Sequence, residues 1–193
     1  NLAFARDPDR ARMLWNDADV IAQELLAWMR GCPAVTQAEA AGSLRRGRDT
    51  VGDLDILVES DASTEVMERF VAWPETVDVL LRGDTKTSIR GPHKLQIDLR
   101  VVPAASFGAA LQYFTGSKEH NVKLRGRGRD RSLTINEYGV FELKVGQEAD
   151  PSPPASKGKA VAGRTEADVY AAVGLPWIPP ELREGRDEIE RAA

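Results

Sequence analysis

The sequence predicts an α+β fold: a mixed β-sheet with flanking helices up to about residue 104, then a small α/β subdomain over 105–193. Three observations carry this. Leu14, Ala18, Ile21, Leu25 and Met29 recur at helical spacing. Leu54, Ile56 and Val58, and again Leu95, Ile97, Leu99 and Val101, alternate with the period of two that marks a half-buried strand. After Pro103 the spacing becomes helical again, with Phe107, Ala110, Leu111 and Phe114 on one face.

In chain order, Asp7-Pro8 reads as an N-cap with proline at the first helical position, opening one long helix that Gly31 and Pro33 end. Residues 35–41 suit a strand, and Gly42 to Gly52 a basic, glycine-containing loop. Ser63 can cap a short helix carrying Val66, Met67 and Phe70. Two further strands follow, one with Val77, Val79 and Leu81 on a face, the other with Leu95 to Val101. Beyond the 105–114 helix, Ser117 can cap a second helix running through His120 and Leu124. Leu133 to Leu143 is strand-like with a turn around Asn136 to Gly139, and 147–163, rich in Pro, Ser, Ala, Gly and Lys, reads as a mobile loop. Thr165 with Asp168 resembles a capping box for a helix ending at Gly174. The Leu175-Pro176-Trp177-Ile178-Pro179-Pro180 tail is irregular, its Trp and Ile packing on the helices.

Composition bounds the function. With 193 residues, 42% hydrophobic and 29% charged, the chain is a folded protein of one domain or two small ones. Its 26 Lys and Arg against 30 Asp and Glu give a net charge of −4, so no global basic field announces nucleic acid and local clusters must make that case. Cys32 is the only cysteine, which excludes an intrachain disulfide and a Cys-rich zinc site and suits a reducing, intracellular setting. No apolar run approaches the roughly 20 residues that span a bilayer. The start at Asn1 without an initiator Met reads as a piece of a longer protein.

The chemistry concentrates in Gly52-Asp53-Leu54-Asp55-Ile56-Leu57-Val58, where the period of two puts Asp53 and Asp55 on the face opposite Leu54, Ile56 and Val58. Gln96, Asp98 and Arg100 share the corresponding face of the later strand. Should the two strands be neighbours, three carboxylates converge, the oxygen-rich set that Mg²⁺ prefers and that a two-metal phosphoryl or nucleotidyl transfer needs. Asp-x-Asp alone is more often a solvated strand edge. The context is more specific: ten residues upstream, Gly42-Ser43-Leu44-Arg45-Arg46-Gly47 offers close backbone approach, a hydroxyl and a bidentate guanidinium at Arg46 for phosphate oxygens. The run Lys118, Lys123, Arg125, Arg127, Arg129, Arg131 is either a solvated helix face or a track for nucleic-acid phosphates. His93 and His120 are too few and too separated for a histidine-based metal site.

These segments, together with Ile97-Asp98-Leu99-Arg100 and Tyr113-Phe114-Thr115-Gly116-Ser117-Lys118-Glu119-His120-Asn121, closely resemble the family X DNA polymerases, the family of DNA polymerase beta. Gly-Ser-Lys-Glu-His-Asn and the Leu-Pro-Trp-Ile-Pro-Pro-Glu-Leu-Arg tail resemble the bacterial and archaeal branch. The resemblance implies a nucleotidyltransferase-type palm over 1–104 and a thumb over 105–193. It implies a templated, short-gap-filling DNA polymerase of DNA repair, acting on primer-template or gapped DNA and dNTP with two Mg²⁺, for which Mn²⁺ can substitute.

Asp53 and Asp55 would hold both metals, and Asp98 the catalytic metal beside the primer 3′ hydroxyl. Ser43, Arg46 and Gly52 match the triphosphate grip; Tyr113, Phe114 and Gly116 match the segment against the incoming sugar. Asn121 matches the residue that reads the minor-groove edge of the incoming nucleotide, Arg125 the one that reaches the template, and Lys123 and Arg127 would join it on DNA. Lys118 departs from the acidic residue of the animal enzyme, and both Arg10 and Arg12 lie near the position of a further family arginine. The full-length protein would add helix-hairpin-helix and PHP domains and work in the bacterial cytoplasm at the nucleoid, with no membrane partner. A non-templated nucleotidyltransferase and a catalytically silent DNA-end binding module are the competing readings.

Overall fold

The computed structural model describes residues 12–143 and 159–193; the Asp7-Pro8 cap, Arg10 and most of the 147–163 loop lie outside the described residues. The first helix starts later than its apolar spacing suggests. Met13–Leu14 (β1) pairs antiparallel with Thr50–Val51 (β3), and Trp15 donates its N–H to the Asp49 carbonyl at 3.0 Å. Leu14 is therefore extended and exposed, and helix α1 runs Trp15–Arg30. It buries Ala18, Ile21, Ala22, Leu25, Leu26 and Met29, a stripe at three- and four-residue spacing that a helix of this length needs for its stability.

A five-stranded mixed sheet lies under α1: β2 (Gln37–Ala40), β4 (Asp53–Glu59), β7 (Gln96–Val102), β6 (Lys86–Arg90) and β5 (Asp78–Arg82), in that spatial order. Only β4 and β7 are parallel. Leu54, Ile56 and Val58 with Ile97, Leu99 and Val101 pack against α1 and α3 (Ser63–Val71) as the first core. Ser63 is the first helical residue and makes no cap; the Ser60 hydroxyl accepts the Ala62 N–H at 3.0 Å instead. Strand β6 was not expected, because Lys-Thr-Ser-Ile-Arg has one apolar residue; flanked by β5 and β7, it buries Thr87 and Ser88 all the same. Strand β5 is the sheet edge and is exposed along its whole length, with Val77 beside it 71% exposed, so this apolar alternation faces solvent rather than the core.

After a 3-10 turn at Ala104–Ser106 come α4 (Phe107–Thr115) and α5 (Lys118–Arg129), whose N-cap Ser117 accepts the His120 N–H at 3.2 Å. Strands β8 (Leu133–Asn136), β9 (Gly139–Glu142) and β10 (Ala160–Ala162) form a second sheet. Its last strand occupies the end of the stretch read as a loop. Helix α6 (Glu166–Ala172) starts at Thr165, whose hydroxyl accepts the Asp168 N–H. Helix α4 crosses the start of α6 closely enough that a Cβ on Gly108 would strike the Thr165 backbone. The tail has a 3-10 turn at Pro180–Leu182 and a short, unexpected α7 (Glu188–Ala192). Ile178 is buried as expected, but Trp177 remains 45% exposed.

Ala109, Leu124, Ile135, Val140, Val169, Tyr170 and Val173 form a second core. A third, small cluster of Ala41, Leu57, Phe107, Ala110 and Leu111 joins the two parts. It explains why the polar face of β4 turns apolar after Asp55: Leu57 lies under α4, while Asp53 and Asp55 emerge beside it.

Candidate active site

Parallel pairing of β4 with β7 puts Asp55 directly opposite Asp98 and Asp53 opposite Gln96. Residues opposed in a sheet project to the same side, so all three carboxylates share one face. Short helix α2 (Gly42–Arg45) begins where Gly42 has a φ of +62° and lies so close to Asp55 that a Cβ there would collide with its carboxylate. A glycine is required at this turn by both conformation and space.

The cleft in front of Asp53 and Asp55, about 950 Å³, is lined by Ser43, Arg46, Gly52, Tyr113, Phe114, Gly116, Asn121 and Arg125, and by Arg12 and Lys118 as well. Asp98 sits just behind, in a recess shared with Asp55, Arg100 and Phe114. The Arg100 guanidinium lies 4.3 Å from the Phe114 ring centroid, and Phe114 meets Tyr113 edge to face at 5.1 Å.

Burial and like charge act most strongly on Asp55. Burial, then the neighbouring Asp53 and Asp98, push the Asp55 carboxyl up to about 7. Burial would raise Asp98 as well, but hydrogen bonds involving Ser88 and Gln96 and the charge of Lys86 outweigh it and hold Asp98 below the usual range. Gln96 donates to Asp98 at 2.9 Å and the Lys86 ammonium lies 3.1 Å from its other oxygen. Lys86 gave no signal in the sequence because β6 gave none; once β6 is a strand, Lys86 and Ser88 fall on the face of Asp98. Among the described residues no three His, Cys, Asp or Glu side chains are gathered closely enough to cage a metal ready-made. Asp98 is turned instead to Lys86 and Gln96.

The Asp55 shift fixes a sign. The unfolded chain loses this proton near the ordinary value of 3.8, the folded chain only near 7, so between these the folded state binds more protons and loses stability as pH rises. Asp55→Asn in metal-free buffer is expected to remove that slope. It should raise the melting temperature at pH 8 by several degrees, since a shift of this size is worth on the order of a few kcal/mol and each kcal/mol moves the melting temperature by roughly 2–4 °C in a chain of this size. Thermal melts of both proteins from pH 4.5 to 8 check it; parallel pH profiles would contradict it.

Arg46 donates to the Thr115 carbonyl at 2.6 Å and pairs with Glu184 at 3.1 Å, and Arg48 reaches the same carboxylate at 3.5 Å. Arg45 turns away from the cleft to Glu166, at 2.7 and 2.9 Å, and to the Thr115 hydroxyl. Glu166 also accepts from Arg183, which is wholly buried, and from the Trp177 indole. Burial would raise the Glu166 carboxyl; the two guanidinium groups overcome this and hold it at about 2.

Residues 110–184 match the DNA polymerase beta thumb. The chain is 36% identical over 173 residues to the DNA polymerase/3'-5' exonuclease PolX of Bacillus subtilis (strain 168), covering 88% of this chain and 28% of that protein. The chain belongs to the family X DNA polymerases. Similarity to rat (Rattus norvegicus) DNA polymerase lambda is weaker, 26% over 163 residues, covering 75% of this chain and 28% of that one. The family X chain here thus spans about 28% of the length of these curated relatives.

Two residues expected on DNA are not brought to this family X cleft. Lys123 bonds the Arg186 carbonyl and lies 2.9 Å from Glu190 of α7. Arg127 donates to the carbonyls of Val173 and Gly174, at 2.8 and 3.2 Å, satisfying the open C-terminal end of α6. In sequence both belong to one basic run; in space only Lys118 and Arg125 of that run line the cleft. Of the two N-terminal arginine candidates, Arg12 lines the cleft and donates to Thr50, while Arg10 is outside the described residues.

Proposed function

We propose that this chain carries the active centre of a templated DNA polymerase that adds dNMP from dNTP to a primer 3′ hydroxyl, with short-gap filling in DNA repair as its task. The observation that carries the reading is the direct opposition of Asp55 and Asp98 on adjacent parallel strands, with Asp53 on the same face, under a cleft lined by Ser43, Arg46, Asn121 and Arg125. The curated relatives are named DNA polymerases, which supports the same chemistry here. Separate cores on the two sides support a palm to about residue 104 and a thumb after it.

Two Mg²⁺, or Mn²⁺ in their place, fit the donor set, because Asp53, Asp55 and Asp98 offer hard carboxylate oxygens on one face of the sheet, and burial together with the two neighbouring carboxylates makes ionised Asp55 costly unless a cation joins it. Such ions supply activation of the attacking hydroxyl and neutralise the charge on the phosphorus and leaving pyrophosphate. The chain's own residues do the rest. Ser43 and Arg46 grip the triphosphate, with Gly52 leaving the backbone accessible. Tyr113, Phe114 and Gly116 crowd the sugar, Asn121 donates to the minor-groove edge of the incoming base, and Arg125 reaches the template. Asp98 leaves Lys86 and Gln96 to serve the primer terminus. In the full-length protein, the bacterial resemblance favours accompanying helix-hairpin-helix and PHP domains and a place at the nucleoid. No helix among the described residues is long and apolar enough to cross a membrane.

Primer extension on gapped, recessed and template-free DNA, with each dNTP or NTP supplied singly, tests the reading. Template-directed insertion of dNMP is expected. Untemplated addition, or equal use of dNTP and NTP, would favour a non-templated nucleotidyltransferase; DNA binding without turnover would favour an end-binding module.

Glu184 follows from the same reading. It sits in the cleft and holds both Arg46 and Arg48, so it competes with a triphosphate for Arg46. Glu184→Gln is expected to tighten dNTP binding about three- to tenfold, since a partly exposed ion pair is worth roughly a kcal/mol. Titration calorimetry with dNTP checks this; unchanged or weaker binding would show that Arg46 is held for another purpose.

A further inference from the structure

The amide of Asn121 is engaged at both ends. Its Nδ2 donates to the Tyr113 carbonyl at 2.7 Å, and its Oδ1 accepts from Gln112 Nε2, also at 2.7 Å. Tyr113 lies in the last turn of α4, where carbonyls lack the N–H four residues on; that of Ser117 goes to the Arg183 carbonyl instead. A carbonyl can only accept, so the atom of Asn121 facing Tyr113 must be the nitrogen. The oxygen then faces Gln112, which must present its own NH₂. One backbone carbonyl thereby orients two amides.

Packing gives no reason for Gln112. It is 2% exposed, in a helix whose neighbouring positions Ala109, Ala110 and Leu111 are apolar and buried. Without its donor, the buried Asn121 oxygen would have lost its partner, and the amide would be free to turn toward water or present oxygen to the cleft. With it, one Nδ2 hydrogen is taken by Tyr113 and the second remains to donate into the cleft that Asn121 lines. Every correct base pair presents an acceptor in the minor groove, N3 of a purine or O2 of a pyrimidine, so a donor is the group such a check requires.

We infer that Gln112 is a positioning residue for nucleotide selection, locking the Asn121 amide so that its N–H, not its oxygen, meets the minor-groove edge of the incoming base. This rests on the reading of Asn121 given above, and two measurements separate the two claims. The first is solvent exchange of the Asn121 side-chain amide protons by NMR in the free chain. Slow exchange is expected in the unmutated protein, and faster exchange in Gln112→Leu, which keeps the bulk, and in Gln112→Glu, which sets acceptor against acceptor. The second is affinity for dGTP against 3-deaza-dGTP, which lacks the N3 acceptor, on gapped DNA with a chain-terminated primer opposite template C.

The unmutated chain is expected to prefer dGTP about tenfold, the worth of one well-made hydrogen bond. Asn121→Ala and both Gln112 variants should prefer it about twofold or less, at melting temperatures within a few degrees of the parent for at least one Gln112 variant. A purely structural role for Gln112 would lower affinity for both nucleotides alike. Full tenfold preference in a folded Gln112→Leu or Gln112→Glu protein, or unchanged amide exchange, would overturn the inference. Equal affinity for the two nucleotides in the unmutated chain, with the exchange difference intact, would instead overturn the minor-groove reading of Asn121.

Discussion

Asp98→Asn is expected to lower nucleotidyl transfer by at least about 10³-fold while leaving the fold in place, the scale on which loss of a charge-stabilising group in an active site is felt. Asp98 lies on the polar face of β7, with Ile97 and Leu99 buried behind it, so the substitution touches none of the core. What it removes is a carboxylate directly opposite Asp55, and with it one of the three anions that make a cation favourable there. The single amide oxygen can still accept from Lys86, while the new NH₂ faces Gln96, whose own amide can turn to present its carbonyl in this half-buried setting, so the melting temperature should move by only a few degrees. Single-nucleotide insertion beside a thermal melt checks both halves. Near wild-type turnover by a folded variant would contradict the three-carboxylate centre; an unfolded variant would show that Asp98 matters first to the sheet.

The largest effect on stability is expected from Glu166→Ala. Arg183 is wholly buried and Arg45 half-buried, and both direct two N–H groups at this one carboxylate, at 2.6 and 3.2 Å and at 2.7 and 2.9 Å. Removing the shared anion leaves two guanidinium groups without a counter-charge, a change that typically costs about 3–5 kcal/mol. Against a total stability of roughly 5–15 kcal/mol, that should lower the melting temperature by about 10 °C or more. It should also loosen the junction through which Arg45, next to the candidate phosphate grip, is tied to α6 and the tail. Because the folded carboxyl is held at about 2 and the ordinary value is 4.5, the stabilisation is present above about pH 4.5 and is lost as pH falls toward 2. Acid titration of the wild type followed by circular dichroism, set beside the variant at pH 7, measures both. A variant as stable as the parent at pH 7 would show that Arg45 and Arg183 find other partners.

Much of the fold was legible in the sequence, and the exceptions share a cause. The alternations in β4 and β7, the caps at Ser117 and Thr165, and the stripe of α1 are written within single segments, where spacing alone decides which side chains share a face. Strand β6 was missed because its burial comes from the two strands beside it rather than from its own composition. The alternation of β5 marked a strand, but its exposure was not legible: among the described residues nothing packs on it. The start of α1 moved to Trp15 because β3, some 35 residues on, captures Met13 and Leu14 in a ladder.

At the candidate site the same division holds. By itself the sequence determined that Asp53 and Asp55 share a face, that Asp98 lies on the polar side of its strand, and that a glycine-serine turn with Arg46 precedes them. Only the tertiary structure decided that β4 and β7 are neighbours in the register that opposes Asp55 to Asp98, and that Gly42 abuts Asp55. It also decided the partners of the long charged side chains: Lys123 and Arg127 to α7 and the end of α6, Arg45 to Glu166, Lys86 to Asp98. Backbone periodicity is a local property, set by φ and ψ within a few residues. A lysine or arginine reaches several ångströms from its own backbone, so its role is set by whatever the rest of the chain folds in front of it.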